Sequence, residues 1–434
     1  MTQPVGSRLV DLASRLYPFD YSVTGSANDA AAALLNGELA FETFEYASGR
    51  ELNGWRIPHE CLVEAAELRH DGRLVYDAKG RPLSTVAQSD SFVGTLPLEE
   101  LRSHLFSADG QPDATPYHWS RLYRPDESLW GFCLAQSSVS KLPPGDYTVK
   151  LITRKRPSTM KVFVHTLAGA SAETILFNAH NCHPFQANDD ISGIVVGMEV
   201  MKRLAELPGR RFTYALMVAP ELFGPMFWLN DLADEQIALI QGTVMLKSVG
   251  NRRKLKLQES FTGRSSLDLA AHHVFKARYK SYEHGAFRAL YGNDETVFEA
   301  NPYLIPSISL TRWPFPEYHT DLDTPKLLSE ESLQDTVATA VDICRALEMN
   351  IKPRTVSKGL VCLSRYGLYR SVPAVGDSGV DYSSEQGRWN RLMNLLPRTL
   401  DGNTGLLEVA ARFDLPIEDV YRYVKEWIKH GLAV

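Results

Sequence analysis

The chain predicts an α/β fold: a mixed sheet covered by helices on both faces, with a small inserted β-rich domain and a C-terminal helix-turn-helix unit. Three observations predict it. Through 145–350, apolar runs of strand length alternate with amphipathic helical stretches, as in a sheet with two covered faces. Between 57 and 140 the texture changes to short alternating stretches punctuated by Asp71-Gly72, Lys79-Gly80 and Asp109-Gly110, which are turn signals. Beyond about 355 the apolar spacing becomes that of two helices around a tight turn.

The first helix is expected at 7–17, joined to the α/β core. The run Thr174-Ile175-Leu176-Phe177 fits a buried strand. Ile191, Ile194, Val195, Met198, Met201 and Leu204 then fall at helical spacing. Further strands are expected at 212–218, 242–246 and 307–310, helices at 265–279 and 331–347. The predicted domains are 1–56 with 141–352 for the α/β core, 57–140 for the β-rich insert, and 353–434 for the last unit. There, a helix over 406–413 meets the turn Asp414-Leu415-Pro416, with proline placed to start a helix. Ile417, Val420, Tyr421, Val424, Trp427 and Ile428 form the next apolar face, and Gly431 stops it.

Hydrophobic residues make up 44% of the chain and charged residues 23%, the balance of a folded globular protein. A formal net charge of -6 argues against a general nucleic-acid binder. The helix that would read bases begins Ile417-Glu418-Asp419, with acids where phosphate and base contacts need cations. No nucleic-acid partner is expected, and the last unit is assigned to packing, homo-oligomerisation or substrate gating. No stretch reaches the roughly 18 apolar residues of a membrane span. The first residues lack a basic segment followed by an apolar one, and five scattered cysteines make no disulfide framework. A cytoplasmic location is expected.

Four short phrases carry the chemistry. In Asn178-Ala179-His180-Asn181-Cys182-His183-Pro184, leading to Asn188-Asp189-Asp190, a buried strand ends in histidines and aspartates just before a helix. Strand ends of this kind are where sites form in α/β sheets, and imidazole with carboxylate suits zinc. Asp190 alone is expected to cap the helix. Glu221 follows the strand 212–218 and is a candidate general base. Asn293-Asp294-Glu295 and Glu317-Tyr318-His319-Thr320-Asp321-Leu322-Asp323-Thr324 lie in loops. Trp313, Phe315 and Tyr318 are candidates for lining a pocket or packing the core. His272 and His273, adjacent on a helix, point in different directions and cannot chelate as a pair.

The order His, Asn-Asp-x-x-Ser-Gly, Glu-x-x-Gly, Asp and Tyr-His-Thr-x-x-Asp-Thr resembles the zinc aminopeptidase superfamily of the bacterial leucyl aminopeptidase type. The phrases Cys182-His183-Pro184, Ala187-Asn188-Asp189, Asp294-Glu295 and Glu317-Tyr318-His319-Thr320 resemble one branch of it. So do Tyr117 and Trp130-Gly131-Phe132-Cys133-Leu134. That branch consists of bacterial aminopeptidase-like proteins with an inserted β domain and a C-terminal winged helix. The resemblance implies zinc, one or two ions, held by His183, Asp189, Asp294 and His319, with Asp189 bridging when two are present. His180 competes with His183 for the first place. It implies Glu221 as base, or alternatively as ligand, with Glu295 or a relayed water taking over the catalytic part. Glu295 and Glu317 are candidates for holding a substrate amine.

One departure stands out. The superfamily carries two adjacent glutamates before the glycine, whereas Glu221 is followed by Leu222. The second ion therefore lacks one expected ligand. The resemblance implies a hydrolase that cleaves a peptide or small amide next to a free amine, on a narrow substrate such as a biosynthetic intermediate. Two other readings stay open: a catalytically inert metal-binding scaffold, and a zinc-dependent acyl or cyclising transferase.

Overall fold

The computed structural model describes residues 8–370, 381 and 383–434. The expected first helix is present as α1, Arg8–Leu16, while Ser7 lies outside the described residues. A second helix, α2, spans Ala27–Glu38.

Eight strands form the central sheet. They are β1 (Glu42–Ala47), β6 (Thr159–Leu167), β7 (Thr174–His180), β8 (Thr213–Ala219), β9 (Ile240–Lys247), β10 (Lys256–Gln258), β11 (His284–Gly285) and β12 (Ser307–Thr311). Their order is β1-β6-β8-β7-β9-β12-β10-β11. The four central strands β8, β7, β9 and β12 run parallel, and antiparallel partners flank them on both sides. Parallel strands of this kind are buried on both faces, which is why they read as continuous apolar runs. β7 and β8 are buried from their second residue to their last.

β7 lies between β8 and β9, so the chain reverses its direction of travel across the sheet at β7. A crevice opens at the carboxyl ends of the strands at such a point. Helices α3 (Ser192–Ala205), α5 (Ser266–Arg278) and α6 (Glu330–Glu348) bury their apolar stripes with α1 on one face. A smaller core with α4 (Phe223–Asp231) covers the other. Ser265 and Ser329 cap α5 and α6 by accepting from the Asp268 and Ser332 amides.

α3 passes so close beneath β9 that a Cβ added at Gly193 would collide with the Leu246 carbonyl oxygen and the Asp190 carboxylate. Gly193→Ala is expected to destabilise the chain by about 1–3 kcal/mol, the usual cost of overpacking. A lowered denaturation midpoint checks this, and an unchanged one contradicts the close approach.

The β-rich insert is a four-stranded antiparallel sheet of order β3-β2-β5-β4, built from β2 (Glu60–His70), β3 (Arg73–Asp77), β4 (Phe92–Pro97) and β5 (Asp146–Arg156). The Asp71-Gly72 turn joins β2 to β3 with both residues at positive φ, as a tight hairpin requires. The sheet runs past the expected boundary at 140, because β5 pairs along both β2 and β4.

Toward the C-terminus, α7 (Glu385–Thr399) precedes α8 (Leu406–Phe413) and α9 (Ile417–Lys429), matching the expected pair of helices. Asp414 turns between them in the left-handed region. The strand-like pairing there is an exchange of backbone hydrogen bonds between Arg354 and Val434, at 2.8 and 2.9 Å. His273 on α5 meets Glu418 on α9 at 3.3 Å. No helix among the described residues is long and apolar enough to cross a membrane.

Candidate metal centre and active site

The carboxyl ends of β7, β8 and β9 and the loop after β12 deliver His180, Glu221, Lys247 and His319 to one crevice. Between β7 and α3, the loop carrying His183 and Asp189 is stitched in place by hydrogen bonds. Asp323 accepts from the Asn188 and Asp189 amides at 2.7 and 2.9 Å. Asn188 Oδ1 accepts from the Gly250 amide at 3.0 Å, and Ser192 Oγ from the Val249 amide at 3.0 Å. Asp190 does not cap the helix. Its two oxygens accept from the His180 and Ser248 amides at 3.2 and 3.1 Å, tying the ends of β7 and β9 together. That use of Asp190 depends on strands distant in sequence, which helix-capping rules do not see.

His183, Asp189 and His319 converge. Asp189 Oδ2 lies 3.6 Å from His183 Nε2 and 3.5 Å from His319 Nε2. Neither His183 Nε2 nor Asp189 Oδ2 has a hydrogen-bond partner, although both are buried. Two ligands on a tetrahedral zinc with bonds near 2.05 Å stand roughly 3.3 Å apart, so this spacing fits such an ion. His183 Nδ1 meets the Pro184 carbonyl at 2.9 Å, which presents Nε2 with a free lone pair. Burial, followed by the neighbouring His183, holds His319 well below the ordinary histidine range, so its ring is neutral and able to ligate.

Aromatic rings wall the cluster. Tyr117, from the insert, stacks on His183 at 4.6 Å between ring centroids and meets His319 edge-on at 5.4 Å. Its amide donates to the His319 carbonyl at 2.7 Å. Tyr318 stacks on His319 at 3.7 Å, and Trp313 and Phe315 pack edge-on against Tyr318. Tyr117, Cys182 and Pro184 also border a cavity of about 410 Å³ between the insert, the segment around Tyr21 and the core.

Lys247 is the residue that reading the sequence missed. Its side chain is fully buried. Its Nζ stands 2.6 Å from Asp189 Oδ1, 2.5 Å from His180 Nε2 and 3.9 Å from Glu221 Oε1. Burial works to lower its pKa, but the Asp189 and Glu221 carboxylates hold it well above the ordinary lysine value. The Asp189 carboxylate, which burial alone would raise, is in turn held well below its usual range by Lys247 and the histidines. A signal was available: a lysine ends the otherwise apolar strand Val244-Met245-Leu246, and lysine is almost never fully buried unless paired.

Two further candidates, Asp294 and Glu295, lie beside this group. Asp294 is not grouped with the three converging donors. Its Oδ1 accepts from the Leu222 amide at 2.6 Å, and its Oδ2 is buried without a hydrogen-bond partner. Burial, followed by the charge of Glu221, pushes Asp294 well above the usual carboxylate range. Glu295 turns back on its own loop, where its oxygens accept from the Asn293 amide at 2.9 and 2.8 Å. Far from the crevice, Glu259, His272 and His284 also approach one another. They are already satisfied as a hydrogen-bonded group with Tyr282.

The Asp323 bridge predicts its own consequence. Asp323→Ala leaves two buried amides without acceptors and frees the loop that holds Asp189. Zinc affinity is expected to fall about 10–100-fold, as for other partners that orient metal ligands. Competition with a chelating dye measures it, and unchanged affinity would deny Asp323 this role.

Comparison with known proteins gives the family. Residues 10–350 match the model of a family described as "Domain of unknown function (DUF4910)". The chain belongs to this family. It is also 25% identical, over 413 residues, to a Clostridium acetobutylicum protein provisionally named a polysaccharide biosynthesis protein with an aminopeptidase-like domain. That alignment covers 93% of this chain and 91% of the relative. Among solved structures, a provisionally named peptidase from Clostridium acetobutylicum superposes with a TM-score of 0.79 at 22% identity, covering 98% of this chain and 96% of the other. A zinc aminopeptidase from Bacillus subtilis gives 0.59 at 14% identity, over 79% and 95%. This DUF4910 member therefore has the fold of the zinc aminopeptidases, in agreement with the α/β class read from the sequence.

Proposed function

We propose that the chain is a zinc-dependent hydrolase that cleaves an amide bond next to a free amine, on a peptide or a small biosynthetic intermediate. The observation that carries this is the convergence of His183 Nε2, His319 Nε2 and Asp189 Oδ2 at zinc-ligand spacing, the first and last of them buried without a hydrogen-bond partner. The names of the relatives, an aminopeptidase-like domain and a zinc aminopeptidase, agree with it.

His183, Asp189 and His319 would hold the ion. A zinc ion there supplies a water of lowered pKa and polarises the scissile carbonyl. Glu221, at the end of β8 and partly accessible, takes the proton of the attacking water and returns it to the leaving amine. Burial, then the Glu221 charge, pushes the Asp294 carboxyl beside it well above the usual carboxylate range. The Glu295 carboxylate is committed to the Asn293 amide and is less suited to hold a substrate amine. Tyr117 and Tyr318 fix the imidazoles by stacking, and the cavity beside Tyr117 offers room for the rest of the substrate.

The test is a panel of free-amine amides and their N-acetylated counterparts, incubated with zinc-loaded protein and with chelated protein. Zinc-dependent release of the amine-bearing residue from the free form alone is expected. Cleavage that ignores acetylation, or that survives chelation, contradicts the proposal. A cyclised or transferred product would assign the chain to a transferase instead.

A further inference from the structure

We propose that Lys247 is a built-in cation: its ammonium takes the place of a second metal ion beside Asp189, so that the site holds a single ion. This rests on the zinc reading of His183, Asp189 and His319 and adds to it the number of ions and the role of a residue outside that set.

The surroundings of Lys247 Nζ carry the inference. An imidazole nitrogen at 2.5 Å, a carboxylate oxygen at 2.6 Å and a second carboxylate at 3.9 Å face it. Imidazole nitrogen and carboxylate oxygen are donors that zinc takes. Here those atoms converge on three ammonium protons instead. The rings of Tyr291 and Tyr318 stand 5.1 and 5.8 Å away, adding cation–π attraction and closing the position to water.

The Asp189 carboxylate is divided between the two positions. Oδ1 faces Lys247, while Oδ2 faces His183 and His319. It bridges two cationic places, as a bridging carboxylate does between paired metals, but one of the two cations is covalently part of the chain. His180 is accounted for in the same way. Its Nε2 accepts from Lys247, so that nitrogen is not left for an ion, and its Nδ1 lies 3.5 Å from Cys182 Sγ. The two histidines that compete in the sequence therefore divide the work: His183 faces the ion and His180 faces the lysine.

The ammonium cannot be chelated away. Lys247 keeps Asp189 aimed at the ion's place in the metal-free chain, so removal and restoration of zinc should be reversible without unfolding.

Zinc binding to the full chain, followed by equilibrium dialysis with elemental analysis, tests this directly. The unsubstituted chain is expected to saturate at one zinc. Lys247→Asp, which exchanges the ammonium for a carboxylate, is expected to take up two. Lys247→Met, which keeps the length of the side chain without its charge, is expected to bind one zinc about 10–100-fold more weakly, as when a ligand loses the group that orients it. Saturation of the unsubstituted chain at two zinc ions overturns the proposal while leaving the hydrolase reading intact. Absence of any zinc overturns both. Undiminished affinity in Lys247→Met also overturns it. The stoichiometry of the unsubstituted chain decides the matter even where a substituted chain fails to fold.

Discussion

His319→Ala is expected to abolish zinc binding and hydrolysis while the chain stays folded. Losing a ligand removes a bond to the ion itself, so the affinity loss should exceed the roughly 10–100-fold that follows loss of a partner that only orients a ligand. The fold should tolerate the change because the His319 side chain is 18% exposed and water can fill the space. Tyr117 still stacks on His183, and Asp321 still accepts from the Thr115 amide at 2.8 Å, holding the insert against the loop. His183→Ala should behave alike in zinc content. The checks are elemental analysis beside circular dichroism and a melting curve. Full zinc content in either variant would show that the ion sits elsewhere.

Glu221→Gln should separate chemistry from metal binding. The amide preserves shape and removes the base. Rates are expected to drop about 10²–10⁴-fold, the usual contribution of a positioned general base. Zinc content should not change, since His183, Asp189 and His319 are untouched. The expected signature is a fall in kcat with KM little altered. Loss of zinc together with activity would make Glu221 a ligand instead, the alternative raised by Leu222 standing where a second glutamate is expected.

Much of the fold was legible because the central strands are buried on both faces. Ile175-Leu176-Phe177 and Tyr214–Ala219 read as apolar runs, and α3 and α6 as regular stripes against them. The insert was legible as a change of texture but not in its extent. β5 alternates buried and exposed residues over its first half, and its partners β2 and β4 lie about 50 to 95 residues earlier, so its sheet membership is set by pairing rather than by local pattern.

The site was legible where it depends on residue type and order. His183, Asp189 and His319, named from their phrases, converge in space. Asp294 and Glu295 sit at the start of a short helix, Glu295–Phe298, rather than in a loop, and no local rule tells which side chain turns outward. The fold gives Glu295 to the Asn293 amide and Asp294 to the Leu222 amide. Lys247 escaped notice because its meaning lies in three-dimensional neighbours. A lysine at the end of a strand reads as a solvated edge until β7 and the 180–190 loop are folded around it.

The most direct test of the metal centre is the zinc content of the full chain, purified without chelators or a metal-binding tag and then dialysed against excess zinc. A His183, Asp189 and His319 site with Lys247 beside it predicts one tightly held zinc per chain, lost in His183→Ala and in His319→Ala. A chain that holds no zinc after this treatment, or that keeps it in either variant, would contradict the metal centre and the hydrolase built on it.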